Sequence, residues 1–181
     1  MSPPCDDLWQ RIAAHHFGPA DASLTFAARL ARENRWSLAE AELVIEEYRR
    51  FCYLAVTAGH EVTPSDAVDQ AWHLHLIYSC DYCEKFCPLV LRADLHHGPT
   101  SGGPVNSGRY YRQYAATLAA YQAAFRQAPP AAIWPAASRR FKLDPRGVRV
   151  NLSGVIVMSR RVALALGLLA VMVGWLAGRI V

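Results

Sequence analysis

Missing from this chain are the His-Glu-x-x-His spacing of a metalloprotease, a nucleophile elbow, and a phosphate-cradling glycine loop, since Ser101-Gly102-Gly103 has neither the lysine nor the strand context of one. Those absences remove the reactions that announce themselves by motif, and they lean the reading away from an enzyme. Strand signals are almost absent up to residue 127, and there is no internal repeat or low-complexity tract. Cysteine is odd in number: Cys5, Cys52, Cys80, Cys83 and Cys87 lack the even spacing of a secreted disulfide framework, so reduced thiols in a cytosol are expected. The start, Met-Ser-Pro-Pro-Cys-Asp-Asp, has no basic n-region and no apolar h-region, which speaks against a signal peptide.

Acidic residues are scarce in the C-terminal part. Residues 1–138 hold 11 basic and 14 acidic side chains, net −3, whereas residues 139–161 hold seven basic ones against Asp144 alone, net +6. The positive charge is therefore a local property suited to anionic lipid headgroups, and no nucleic-acid partner is expected. After that block, Val162 to Val181 carries Arg179 as its single charge and reads as a transmembrane helix, since spanning takes roughly 20 mostly apolar residues. A buried C-terminal core helix is the competing reading. A cationic block before an apolar helix is the positive-inside signature, so the expected arrangement is a single-pass protein with its N-terminal domain in the cytoplasm and the lipid bilayer as partner. Gly174-Trp-Leu-Ala-Gly178 is a GxxxG pattern, in which small residues let two helices approach closely. It predicts a homodimer through that face, against the blander reading that glycine is common in membrane helices.

The expected organisation is all-α: a helical domain over 1–138 built as a bundle of about five helices, a basic juxtamembrane linker over 139–161, and the transmembrane helix over 162–181. The first helix is predicted over Asp6 to His16, ended by Gly18-Pro19, and the second runs from a Ser23 cap to Asn34. Ser37-Leu-Ala-Glu40 is a capping box opening a long helix with Ala41, Val44, Ile45, Tyr48, Cys52 and Ala55 at helical spacing. Thr63 is the predicted N-cap of the next helix, with Pro64 at its first position, continuing to Cys87 before a break at Pro88. Tyr111, Tyr114, Leu118, Tyr121 and Phe125 form the core stripe of the last soluble helix. A short strand is suggested by the alternation of Val148, Val150 and Leu152.

Histidine carries the chemistry. Four of the seven histidines fall in two clusters, Asp69-Gln-Ala-Trp72-His73-Leu-His75 and His96-His97-Gly98-Pro99-Thr100. At about 100° per residue Asp69 and His73 share a helix face, while His75 points roughly 200° from His73, so a regular helix does not aim both imidazoles at one ion. The candidate metal ligands are Asp69, His73, His75, His96 and His97. The best first set takes Asp69 and His73 from the helix and His96 or His97 from the loop, a donor mixture that suits zinc above other first-row divalent ions. A buried polar cluster, with the loop histidines fixing Gly98-Pro99 against the helix, accounts for the same residues without a ligand. Cys80, Cys83 and Cys87 recur at i, i+3 and i+7, with Cys52 as a fourth thiol, and packing is favoured over a soft-metal site.

Three stretches together resemble the bacterial branch of the glycine-rich domain-containing protein-like family: Glu61 through His75, Leu95-His-His-Gly-Pro-Thr100, and Pro129-Pro-Ala-Ala-Ile-Trp-Pro135. The resemblance covers about residues 37–135, and Asp-x-x-Trp-His-x-His is its most specific part. It implies no catalytic mechanism. Plant members are linked to development and stress responses, roles that do not carry over because the glycine-rich tail is lacking here. The expected function is a membrane-anchored cytoplasmic domain whose His/Asp/Trp site binds metal or serves structurally in an interaction module. The alternative is a metal-dependent hydrolase at the membrane surface, for which Glu61, His60 or Asp66 would supply the general base.

Overall fold

The computed structural model of the chain describes residues 6–19, 21–98, 104–143 and 159–177, and among them the protein is all-helical, with no strand. The alternating segment at Val148, Val150 and Leu152 lies outside the described residues, as does Cys5. The chain divides into two compact units, Met1–Asp144 and Pro145–Val181.

In the first unit, α1 (Asp7–Ala14) opens on Asp6, whose carboxylate accepts from the Trp9 N–H. Helix α2 (Phe26–Asn34) is capped by Thr25 instead of Ser23, because the Thr25 hydroxyl is the oxygen that reaches the Ala28 N–H. Helix α3 (Leu38–Thr57) starts at Ser37, which accepts from Glu40 N–H, a bond of the kind that contributes about 1 kcal/mol. It is the central element, packed against α1, α2, α4 (Asp66–Ile77) and α6 (Pro104–Phe125). Its Val44, Tyr48, Phe51, Cys52 and Leu54 are fully buried, and each large side chain so removed from water contributes about 1.5–3 kcal/mol.

Helix α4 begins two residues later than the Thr63 signal predicts. Ser65 is the cap, accepting from Val68 N–H, while the Thr63 N–H donates to Thr117 Oγ1 on α6. Nor does α4 run to Cys87. It ends at Tyr78, a short turn α5 (Ser79–Asp81) follows, and π-helical turns occupy Tyr82–Leu91 with Pro88 inside them. Proline has no N–H for the ordinary helical ladder, and the wider register is one way to carry a helix past it. The turns end at Arg92 in the left-handed region.

On α6, Tyr114, Tyr121 and Phe125 are buried in the core, and Tyr111 and Leu118 pack half-buried beside them. The Pro129–Pro135 segment is pinned to α3 by the buried Glu47, which accepts from Trp134 Nε1 at 2.9 Å and from the Tyr121 hydroxyl at 3.3 Å and pairs with Arg50. Arg140 also folds onto this unit: it bonds Asp66 at 2.9 Å and lies over the Tyr114 ring.

The second unit contains α7 (Arg160–Ala177). The expectation of a membrane-spanning helix is not supported here, because among the described residues no helix is long and apolar enough to cross a membrane. Helix α7 opens on Arg160 and Arg161, and the described apolar residues after them, Val162–Ala177, cover about 24 Å at about 1.5 Å per residue, against a ~30 Å hydrocarbon core. Leu164, Leu168, Val171 and Trp175 on it are exposed. Gly178, one half of the GxxxG pattern, lies outside the described residues.

Candidate functional site

The two histidines of the Trp72-His73-Leu-His75 run face opposite ways, as their angular separation demands, and each enters a different cluster. On the outer face of α4, Asp69 and His73 stand one turn apart. The loop after the π-helical turns then brings His97 across, so that its Nε2 lies 2.9 Å from Asp69 Oδ1, while His73 Nε2 lies 3.4 Å from Asp69 Oδ2. The ligand atoms of Asp69, His73 and His97 all lie within 4.8 Å of one another. His73 is half exposed, at 48%, so the set opens to water. His96 is exposed and does not join it.

His75 points inward and is completely buried. Its Nδ1 is 2.9 Å from the Tyr48 hydroxyl, and its Nε2 is 3.0 Å from Asp81 Oδ2. His15, from the end of α1, brings its Nε2 to 3.1 Å from the same oxygen, and the Gly18 N–H donates to it from 3.4 Å. Gly18 is required there, since its φ is +74° and a Cβ would come within 2.9 Å of the Tyr78 ring. Burial pushes the His75 pKa down to about 4 against the opposing pull of Asp81, and burial likewise lowers that of His15. Burial also acts to raise the Asp81 pKa, but hydrogen bonds from both imidazoles outweigh it and hold the carboxyl below its ordinary value. At neutral pH the cluster is thus two neutral imidazoles on one carboxylate.

Trp72 lies between the clusters. Its ring meets His97 edge-on at 4.5 Å, and its Nε1–H donates to the Tyr82 hydroxyl at 2.9 Å. That hydroxyl donates in turn to the Leu95 carbonyl, which holds the loop carrying His97, and the Tyr82 ring stands edge-on to His75 at 4.9 Å.

Of the residues singled out by sequence, Asp69, His73 and His97 converge; His75 is the centre of a second set, and His96 stays in solvent. Sequence reasoning missed His15, Asp81, Tyr48 and Tyr82. His75 and Asp81 are six residues apart, on different faces of a continuous helix, and meet only because α4 ends at Ile77; His15 lies 66 residues from Asp81, so spacing offered no signal for either. The candidate bases are engaged elsewhere: Glu61 pairs with Arg109 at 2.6 Å, and Asp66 pairs with Arg140. The cysteines do not share one environment, for Cys52 and Cys87 are buried while Cys80 and Cys83 are exposed.

The fold and these clusters define an all-helical protein with two sets of two histidines and one aspartate. Residues 19–107 match the UCP032817-like family, an uncharacterised one, and the chain is similar to it over the stretch from the loop after α1 to the start of α6. This match corrects the resemblance drawn from the Asp-x-x-Trp-His-x-His core, because nothing indicates a glycine-rich domain-containing family. The matched stretch contains both clusters except His15. No curated protein and no solved structure matches the chain.

Proposed function

We propose that the helical domain binds one first-row divalent ion, zinc foremost, through Asp69, His73 and His97, and that the bound ion fixes the loop around His97 as part of an interaction module at a membrane. The observation that carries this is the convergence of three ligand atoms from α4 and the loop, within 4.8 Å, on a face open to solvent. The arms of a tetrahedral zinc site are 2.0–2.1 Å, which puts neighbouring ligand atoms about 3.3 Å apart; His97 lies 2.9 Å from one Asp69 oxygen and His73 3.4 Å from the other, each near that value. Imidazole with carboxylate is the donor mixture zinc accepts. Elemental analysis of the full chain, purified in detergent without chelators, tests the reading: His73→Ala lowers the metal content by about one equivalent. An unchanged content, or no uptake with zinc, manganese, iron or nickel, leaves Asp69 and His97 as a hydrogen-bonded strut.

Membrane association belongs to the same reading. The basic residues of the 139–161 linker attract anionic headgroups, and α7 adds an apolar surface through Leu164, Leu168 and Val171. The chain is then recovered with membranes and resists a high-salt wash, whereas a version ending before Arg160 is released. Release of the intact chain by salt alone refutes the apolar contact.

A further inference from the structure

The inner cluster gathers three side chains that can ligate a metal, His15, His75 and Asp81. The Asp81 side chain is 11% exposed, and the groups bonded to it are two imidazoles and one backbone N–H. Arg49 is close enough to be felt by both histidines, yet its guanidinium bonds Glu46 and the Ile12 carbonyl. A carboxylate so far removed from water is commonly matched by an ion pair or a metal. No Lys or Arg ion pair to Asp81 stands among the described residues.

The geometry instead converges on a point. Nε2 of His15 and Nε2 of His75 both aim at Asp81 Oδ2, at 3.1 and 3.0 Å, and all three ligand atoms lie within 4.8 Å of one another. These separations lie near the roughly 3.3 Å edges of a tetrahedral zinc polyhedron. The far nitrogen of His75 is held by Tyr48, and such a hydrogen bond to the other ring nitrogen is what fixes the tautomer and ring orientation of a ligating histidine.

We infer that His15, His75 and Asp81 form a second, buried divalent-metal site, taking zinc or another first-row ion, in which Tyr48 is a positioning residue and water from the rim at His15 supplies a further ligand. The site is independent of the surface set. It ties the end of α1 to α4 and α5, so its metal stabilises the fold more than it meets a partner.

Cobalt(II) is the probe, because its visible absorption reports coordination by nitrogen and oxygen ligands. The full chain in detergent, carrying Asp69→Asn and His73→Ala to remove the surface set, still takes up about one equivalent of cobalt with intense four- or five-coordinate bands. Adding His15→Gln, at the rim of the cluster, weakens uptake at least tenfold with the helical circular dichroism unchanged, and Asp81→Asn does the same if it folds. Tyr48→Phe retains uptake but shifts the bands, a change that a purely structural role for Tyr48 does not produce. If the double variant takes up no cobalt while the wild type binds one equivalent, the surface reading survives and the buried site is refuted. If uptake in the double variant is indifferent to His15→Gln, the buried site is likewise refuted. Should wild-type uptake depend on His15 and not on His73, the surface reading fails and this one stands.

Discussion

The two faces of α4 carry the same chemistry in opposite settings. Outside, Asp69, His73 and His97 meet in the open, with His73 at 48% exposure; inside, His75 is at 0% and shares Asp81 with His15. Both sets are two imidazoles and a carboxylate. Solvation separates them: the outer groups exchange hydrogen bonds with water at little cost, whereas every inner donor and acceptor depends on its partner. The outer set can therefore lose a member at little cost to the fold, while the inner set is built into stability.

The sharpest break of that contrast is a pair of alanine substitutions on the metal-free protein. His75→Ala opens a cavity and leaves the Tyr48 hydroxyl and Asp81 unsatisfied, which costs about 3–5 kcal/mol. His73→Ala costs about 0.5 kcal/mol or less. Urea denaturation of both variants measures the gap, and equal losses would erase the distinction between the faces.

Acid offers a second way in, with an effect up to about 3 kcal/mol. His75 titrates near 4 in the folded chain, against an ordinary value of 6.5. Between those values the unfolded chain binds the proton and the folded chain does not, so stability of the chelated protein falls as pH drops from about 6.5 towards 4 and levels off below. His15 acts in the same direction, and Asp81, Arg49, Tyr48 and Tyr82 are the other titratable or charged groups around the ring. Chemical denaturation at stepped pH reads the slope; a flat profile across this window removes the burial argument.

Much of this was legible in the sequence, and the failures have physical causes. Helix α3 was readable because Ser37, Glu40 and the Ala41-to-Cys52 spacing agree, and local and tertiary preferences coincide there. The start of α4 was misjudged because Thr63 and Ser65 are both capping residues, and the choice fell to Thr117 of α6, which claims the Thr63 N–H. Its end was invisible, because Tyr78-Ser79 carries no glycine or proline to mark the break. On the outer face, i, i+4 spacing revealed Asp69 and His73, but His96 and His97 are equivalent in sequence. Only one of two adjacent loop residues turns towards α4. The inner set joins residues 15, 75 and 81, and such a juxtaposition belongs to the fold.

The turn beneath the inner cluster supplies a smaller effect. Gly18→Ala forces a side chain into a left-handed conformation and against the Tyr78 ring, which costs about 1–2 kcal/mol. Because the Gly18 N–H donates to Asp81, the loss should shrink in an Asp81→Asn background. Additive losses in a double-mutant cycle would show that the turn and the cluster are separate.

The smallest expected effect asks whether the two faces are joined at all. Tyr82 is the connection: it accepts from Trp72, donates to the Leu95 carbonyl, and presents its ring to His75. Tyr82→Phe keeps the ring beside His75 and removes the hydroxyl, orphaning the Trp72 N–H and freeing the carbonyl next to the His96-His97 loop. The expected loss is about 1 kcal/mol in stability. The informative readouts are local: Trp72 loses its ring contact with His97 as the loop loosens, so its emission shifts to the red, and metal affinity at Asp69, His73 and His97 falls while any binding at His15, His75 and Asp81 holds. Five tryptophans share the signal, so the shift is read against Trp72→Phe. An affinity change at both sets would make Tyr82 a coupler between them, and no change at either would reduce it to a core aromatic with a convenient hydroxyl.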